Sequence, residues 1–130
     1  MTITSLATRI ALSASLAVSG VVHAYLYVDG YRGIPKVGPA FLLQCSAFCA
    51  LAVLILVGGP AWLRFASAIG AGGSLIAFAL SRSAGLFGFT ETGWQPAPYA
   101  VISVIAEILT VLLVAVTALR RPAADRLPAT

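Results

Sequence analysis

Residues 97–119 read APYAVISVIAEILTVLLVAVTAL, a run that contains a single charged side chain. A helix needs about 20 mostly apolar residues to cross the hydrocarbon core of a bilayer, and this run is long enough. It is followed by Arg120-Arg121-Pro122, where paired cations and a proline stop a helix at the level of the lipid headgroups. The segment therefore predicts a transmembrane span.

The composition of the whole chain agrees with a membrane environment. Of its 130 residues, 60% are hydrophobic and only 9% are charged, and one small soluble core cannot bury that much apolar surface. Three further apolar segments, at about residues 6–28, 39–57 and 61–81, have the length and hydropathy of spans. We predict an all-α fold: one transmembrane domain over residues 1–130, an integral membrane four-helix bundle with short loops.

The connections between the predicted spans carry turn signals. Residues 29–39 read DGYRGIPKVGP, and Gly58-Gly59-Pro60 ends the second span, which predicts a tight hairpin into the third. Residues 82–98 form the longest piece outside the spans, yet they remain apolar. We expect this piece to lie on the membrane surface or to cap the bundle.

The first apolar segment has two interpretations. Its apolar core leads to Val22-His23-Ala24, which fits the cleavage pattern of a signal peptide. Its serines and Gly20 also form the small-residue faces on which membrane helices approach closely. We interpret it as a span that packs tightly against a neighbour.

No recognised catalytic, cofactor or metal motif emerges from the sequence. Cys45 and Cys49 lie four residues apart on one helical face, where a disulfide would constrain little, so we interpret them as free, packed thiols. One histidine cannot supply two axial haem ligands, and HExxH, P-loop and GxSxG patterns are absent from the sequence. We therefore predict no catalytic residue, no metal site and no cofactor.

The net charge of +4 is spread over the ends of the apolar segments and indicates membrane topology, not nucleic-acid binding. Five of the eight cations fall on the side shared by both termini and the middle hairpin: Arg9, Arg64, Arg120, Arg121 and Arg126. Arg32, Lys36 and Arg82 fall on the other side. The positive-inside rule then predicts a multi-pass membrane protein with both termini in the cytoplasm and the two longer loops outside.

Polar side chains inside the spans identify a candidate site. A carboxylate such as Glu107 in the middle of a membrane helix costs roughly 3 kcal/mol. Ser103, Glu107, Thr110 and Thr117 recur at helical spacing, which predicts a polar stripe that faces the bundle interior or a partner protein. His23 and Gln44 lie at a comparable depth from the same side, so the three side chains are expected to meet, with Arg82 and Glu91 near the mouth of the cluster.

Three interpretations of this cluster stay open. The polar side chains form a hydrogen-bond network that fixes helix register. Alternatively, Glu107 and His23 relay protons or bind a cation or small polar ligand, as ionisable groups inside membranes commonly do. In the third interpretation, the polar face of the fourth span binds a neighbouring membrane subunit, which is compatible with the first.

The chain resembles a group of small four-span membrane proteins of actinobacteria. The resemblance lies in residues 23–27 (HAYLY), 30–35 (GYRGIP), 37–38 (VG), 41–44 (FLLQ) and 85–91 (GLFGFTE), and in the span that contains Glu107. In size and number of spans the chain is also loosely similar to DoxX-type proteins. The resemblance implies a four-helix fold in the inner (plasma) membrane of a bacterium. It singles out as positions to test His23, Tyr31, Arg32, Gln44, Glu91 and Glu107, of which Tyr31 and Arg32 are expected to make contacts in the outer loop.

From these features we expect a non-catalytic accessory or stabilising subunit of a larger membrane assembly, such as a respiratory complex. Its partners would be the lipid bilayer and other membrane subunits, and a homo-oligomer is compatible with the small-residue helix faces. The alternative is a small proton-coupled transporter or ligand-binding membrane protein that uses the Glu107 and His23 cluster.

Overall fold

The computed structural model describes residues 3–120, and most of them lie in four long helices. The helices are α1 (Ile3–Asp29), α2 (Val37–Leu56), α3 (Trp62–Ser81) and α4 (Tyr99–Leu119), with one 3-10 turn (Tyr31–Gly33) between α1 and α2. All four are long and apolar enough to cross a membrane. The predicted all-α membrane four-helix bundle is therefore confirmed.

The helix ends follow the predicted spans closely. The largest differences are at the helix starts: α1 begins at Ile3 instead of Leu6, α2 at Val37 instead of Pro39, and α4 at Tyr99 instead of Ala97. Two cations used for the topology prediction, Arg121 and Arg126, lie outside residues 3–120.

A tight hairpin joins α2 to α3, as the Gly-Gly-Pro sequence predicts. Gly58 has a φ of +91°, a conformation that side chains disfavour. The amide of Gly58 donates to the carbonyl of Ile55 at 3.1 Å, and that of Gly59 to the carbonyl of Leu54 at 2.8 Å. These bonds satisfy carbonyls at the end of α2 and reverse the chain within the residues 57–61.

The most extensive contact between helices joins α1 to α2. A Cβ atom on Gly20 would lie 2.8 Å from the Cys49 Sγ and 3.3 Å from the Phe48 Cβ, so no side chain fits between the two helices here. Helix α1 also packs along α4, and α3 packs along α4, whereas α2 and α3 touch over a smaller region. The two thiols are free, and Cys49 belongs to this tight contact.

The two ends of the bundle differ in polarity. We call the end at residues 57–61 the hairpin end, and the end that carries residues 30–36 and 82–98 the loop end. An apolar core fills the half nearest the hairpin end: Leu12, Leu16, Phe48, Ala52, Ile55, Leu63, Ala71 and Val114. The buried ionisable side chains Glu107 and His23 lie nearer the loop end.

Large apolar side chains cover the outside of the helices. Ile69 is 77% exposed and Leu43 is 71% exposed, which would be costly in water and is expected against lipid. The two were predicted to lie within spans, and their outward orientation agrees with a bundle whose surface is solvated by acyl chains.

The segment 82–98 folds over the loop end of the bundle. Leu86 and Phe89 exchange two backbone hydrogen bonds of 2.8 and 2.9 Å, and the amide of Glu91 donates to the carbonyl of Ser81 at 2.9 Å. Of the two arrangements expected for this segment, the structure shows the cap over the bundle.

Candidate binding cavity

A cavity of about 110 Å³ opens at the loop end of the bundle. All four helices line it, together with Tyr31 from the 3-10 turn and Leu86, Phe89 and Pro96 from the 82–98 segment. One water molecule needs about 10–15 Å³ of cavity volume measured in this way. The cavity therefore has room for several waters or for a small organic molecule.

Glu107 forms the floor of the cavity and is only 1% exposed. Its Oε1 atom accepts one hydrogen bond from each of the four helices: from Ser19 Oγ of α1 at 2.9 Å, Gln44 Nε2 of α2 at 3.0 Å, Ser74 Oγ of α3 at 2.8 Å and Ser103 Oγ of α4 at 3.0 Å. These bonds offset part of the cost of burying a carboxyl group. The carboxyl group thus links all four helices at one depth.

Helix geometry explains why these side chains meet. Gln44 lies seven residues after the start of α2, and Ser74 seven residues before the end of α3, so both lie about 10 Å from the loop end. Glu107 lies eight residues after the start of α4, which is about 12 Å. A buried bond of 2.9 Å between Ser15 and Thr110 holds α1 against α4 about one turn deeper.

His23 lies beside this floor and is 7% exposed. Its Nδ1 atom lies 2.8 Å from the carbonyl oxygen of Ser19 and 3.5 Å from the Ser19 hydroxyl. The imidazole ring also meets the ring of Phe41 edge to face, with 4.8 Å between the ring centres. His23 is thus connected to Glu107 through Ser19 and makes no direct hydrogen bond with that carboxyl group within residues 3–120.

Tyr31 forms one side of the cavity mouth. Its ring stacks on Phe41, with 4.7 Å between centres and 8° between planes, and its hydroxyl donates to Glu91 Oε2 at 2.8 Å. Burial, together with the hydrogen bond to Glu91, raises the pKa of Tyr31 above its ordinary value. The phenol therefore remains a hydrogen-bond donor that ties the 3-10 turn to the 82–98 segment.

Arg82 forms the other side of the mouth. Its guanidinium carbon lies 4.0 Å from the centre of the Phe78 ring, Nε donates to the carbonyl of Gly93 at 3.1 Å, and Nη2 donates to the carbonyl of Gln95. Burial lowers the pKa of Arg82 from the usual arginine value. These bonds hold the 82–98 segment against the end of α3.

The structure brings together most of the side chains that the sequence singled out. His23, Gln44, Glu107, Arg82 and Tyr31 line the cavity, and Glu91 contacts Tyr31 at its mouth. The predicted meeting of Gln44 with Glu107 is confirmed. Arg32 is exposed on the 3-10 turn and lies outside the cavity lining, so its predicted contact role stays a prediction.

Sequence reasoning missed Ser19 and Ser74 as partners of Glu107. Serine is common on the small-residue faces that allow close helix packing, so neither hydroxyl stood out as a partner for a carboxyl group. One signal was present for Ser19, which precedes His23 by four residues and therefore shares its helical face. Ser103 did belong to the predicted polar stripe of α4, and the structure turns Ser103, Glu107 and Thr110 towards the bundle interior.

The cavity thus combines a buried carboxyl group, a buried imidazole and apolar walls beneath a polar mouth. Comparisons of the chain with protein-family models, with curated proteins and with solved structures found no match. The geometry of this cavity is therefore the basis for assigning a function to the protein.

Proposed function

We propose that the protein is a ligand-binding membrane protein that takes up a small polar molecule through the loop end, with Glu107 as its principal contact. The observation that carries the proposal is that the two carboxyl oxygens of Glu107 differ in their hydrogen bonds. Oε1 accepts all four hydrogen bonds from the helices, whereas Oε2 takes part in none within residues 3–120 and is not sealed from a water molecule. One oxygen is left for a ligand.

A network that serves only to fix helix register would need the four hydrogen bonds to Oε1 and nothing more. Hydrogen bonds that fix helix register require no cavity above them, yet here a cavity of about 110 Å³ lies over the carboxyl group. Ionisable side chains inside membranes commonly mark ligand or proton pathways because their burial is costly. The cavity and the unused oxygen together favour a binding role over register alone.

The packed hairpin end favours binding over passage through the bundle. Leu16, Phe48 and Ala71 are at most 3% exposed and lie in the apolar core below the polar floor. Transport would require the helices to separate there. A flux assay in proteoliposomes distinguishes the two: a Glu107-dependent flux would support a transporter, and its absence would support a binding protein.

Substituted cysteines test whether the cavity is reachable from water. Ala77 lines the cavity, whereas its neighbour Ile76 is 64% exposed on the outer surface of α3, which faces lipid. In a background in which Cys45 and Cys49 are replaced by alanine, we expect Ala77→Cys to react with a small charged methanethiosulfonate reagent and Ile76→Cys to remain unreactive. If Ala77→Cys does not react either, the loop-end binding function is refuted.

The accessory-subunit role that the sequence suggests is a separate proposal with a separate test. The polar stripe of α4, one candidate for a subunit contact, is occupied inside the bundle by Ser19 and Ser15 of α1. Purification in a mild detergent that preserves membrane complexes decides this proposal. A stoichiometric partner subunit would support it, and a monomer or homodimer would contradict it.

A further inference from the structure

The hydrogen-bond roles around the cavity floor restrict the chemistry of its ligand. Both protons of the Gln44 amide are used, one on Ser74 Oγ at 2.8 Å and one on Glu107 Oε1 at 3.0 Å. The hydroxyls of Ser19, Ser74 and Ser103 each donate to the same Oε1 atom. Each of these donors is therefore already used within the floor, on Glu107 or on Ser74, and none is directed at a ligand.

His23 has a tautomer set by its neighbour. Its Nδ1 atom lies 2.8 Å from the Ser19 carbonyl oxygen, which can only accept a hydrogen bond, so the proton belongs on Nδ1. The Nε2 atom of a neutral imidazole is then an acceptor. This atom has no hydrogen-bond partner within residues 3–120, and His23 lines the cavity.

The atoms left for a ligand at the floor are all acceptors. They are Glu107 Oε2, His23 Nε2 and Gln44 Oε1, and within residues 3–120 each lacks a partner without being sealed from a water-sized molecule. The four donors to Glu107 are neutral groups, so no arginine or lysine neutralises this carboxyl group by a hydrogen bond in the described part of the chain. A ligand that supplies several N–H groups and a positive charge would donate to these acceptors and neutralise the carboxylate.

The walls of the cavity restrict the rest of the ligand. Phe41, Phe78 and Val104 line the space above the floor, and aromatic faces attract cations as well as apolar groups. A cavity of about 150 Å³ is known to accommodate benzene, so about 110 Å³ suits a short alkyl chain or a slightly smaller body.

We propose that the ligand is a small primary amine, bound as its ammonium ion, whose N–H groups donate to Glu107 Oε2, His23 Nε2 and Gln44 Oε1 while its apolar body contacts the cavity walls. This inference rests on the proposed ligand-binding function and names the class of ligand. An anion would meet only acceptors at the floor. An alcohol offers a single donor, and a metal ion would lack oxygen ligands on the apolar side.

Carbon-13 NMR of glutamate-labelled protein in lipid nanodiscs tests the inference directly. The chain contains two glutamates, so Glu107 gives one side-chain carboxyl resonance and Glu91 the other. Three probes share one alkyl chain and differ in their head group: butylamine, 1-butanol and butyrate. We expect butylamine to shift the Glu107 resonance with an affinity at least tenfold higher than that of 1-butanol, and butyrate to leave the resonance unchanged.

Two controls keep the result interpretable. Because Glu107→Gln lacks the Glu107 resonance, the butylamine affinity of both variants is measured by isothermal titration calorimetry. Glu107→Gln should reduce this affinity to that of 1-butanol, whereas Ser46→Ala, which alters an exposed hydroxyl bonded to the Leu42 carbonyl, should leave it unchanged. If Glu107→Gln does not fold, the wild-type protein still decides, because its affinity for butylamine must exceed that for 1-butanol at least tenfold. A simple alkylamine stays protonated over the neutral range, since such amines titrate near pH 10.

Failure of the inference is distinct from failure of the proposed function. Equal affinities for the three probes, a preference for butyrate, or no binding of butylamine would each overturn the amine inference. The loop-end binding function would be overturned instead by an unreactive Ala77→Cys variant, which involves no ligand.

Discussion

At the level of single residues, the stability of the loop end depends on Glu107 as a shared acceptor. Replacing Glu107 with leucine leaves the donors of Ser19, Gln44, Ser74 and Ser103 without their acceptor, and hydrogen bonds between membrane helices contribute about 0.6 kcal/mol each on average. We expect Glu107→Leu to lower the free energy of unfolding by about 2 kcal/mol. Glu107→Gln retains an acceptor oxygen and should cost less than about 1 kcal/mol. Reversible unfolding in mixed detergent and SDS micelles measures both.

Thr117→Val is the matched control on the same helix. Within residues 3–120, the Thr117 hydroxyl bonds only to the carbonyls of Leu113 and Val114 in its own helix, so its loss should have little effect on the unfolding free energy. A Glu107→Leu variant as stable as Thr117→Val would show that Oε1 does not hold the four helices together.

Tyr31 gives the site a pH dependence that can be measured by absorbance. Burial and the hydrogen bond to Glu91 raise its pKa above the ordinary value of about 10. The protonated phenol therefore contributes its stability in full below about pH 10, and this contribution is lost as the pH rises through the folded-state pKa. In an alkaline titration of phenolate absorbance we expect Tyr31→Phe to remove a component that titrates later than an exposed tyrosine. Removal of a component that titrates near pH 10 would contradict this assignment.

The side chains of the site differ in how far the sequence reveals them. Glu107 and Gln44 stand out because a carboxyl or amide group within an apolar span is costly and needs a partner. Ser19 and Ser74 do not stand out, because a serine can bond to its own helix backbone or simply permit close packing. Their role depends on which helices become neighbours, which no single segment encodes.

At the level of helices, the contact between α1 and α2 depends on Gly20. A Cβ atom there would lie 2.8 Å from the Cys49 Sγ, closer than such atoms approach, so Gly20→Ala forces the helices apart. We expect a loss of about 1–3 kcal/mol in unfolding free energy. Gly72 is the matched control: nothing lies within 4 Å of its would-be Cβ, and Gly72→Ala should be neutral or stabilising by up to about 1 kcal/mol.

Relief of the clash provides a further check on this contact. Removing the thiol in a Gly20→Ala, Cys49→Ala double variant should recover part of the lost stability, because the nearest clashing atom is gone. A Gly20→Ala variant as stable as Gly72→Ala would show that α1 and α2 do not approach this closely in the membrane.

The 82–98 segment depends on Arg82, which donates to two carbonyls of the segment, those of Gly93 and Gln95. Lysine carries the same charge but lacks the planar fork that reaches both oxygens. In Arg82→Lys we expect the Glu91 amide, bonded to the Ser81 carbonyl, to exchange its hydrogen about tenfold faster. Arg32→Lys, at an exposed position outside the cavity, is the control. Unchanged exchange in both variants would contradict the bracing role of Arg82.

Helices and connections also differ in how far the sequence predicts them. The four spans follow from hydropathy and length, and Gly58-Gly59-Pro60 specifies its turn locally. The fold of the 82–98 segment depends on contacts between elements, such as that of Arg82 with Phe78 and that of Tyr31 with Glu91. The sequence therefore left two arrangements open for this segment, and only the assembled bundle selects the cap.

At the level of the whole molecule, polarity runs along the bundle axis. The hairpin end is packed with apolar side chains, and the loop end contains Glu107, His23 and the cavity. A bundle with this asymmetry presents its cavity to one side of the membrane only. Which side it faces decides where a ligand comes from.

The distribution of cations predicts that the cavity faces away from the cytoplasm. The topology prediction from the sequence assigns five of the eight lysines and arginines to the side of the hairpin end, and cytoplasmic segments are the ones enriched in cations. In a background without Cys45 and Cys49, a cysteine at exposed Ser83 would mark the loop end, and one at exposed Ala61 would mark the hairpin end. We expect a membrane-impermeant maleimide to label Ser83→Cys in intact cells and Ala61→Cys only after permeabilisation. The reverse pattern would place the cavity mouth in the cytoplasm, and the amine would then have to come from inside the cell.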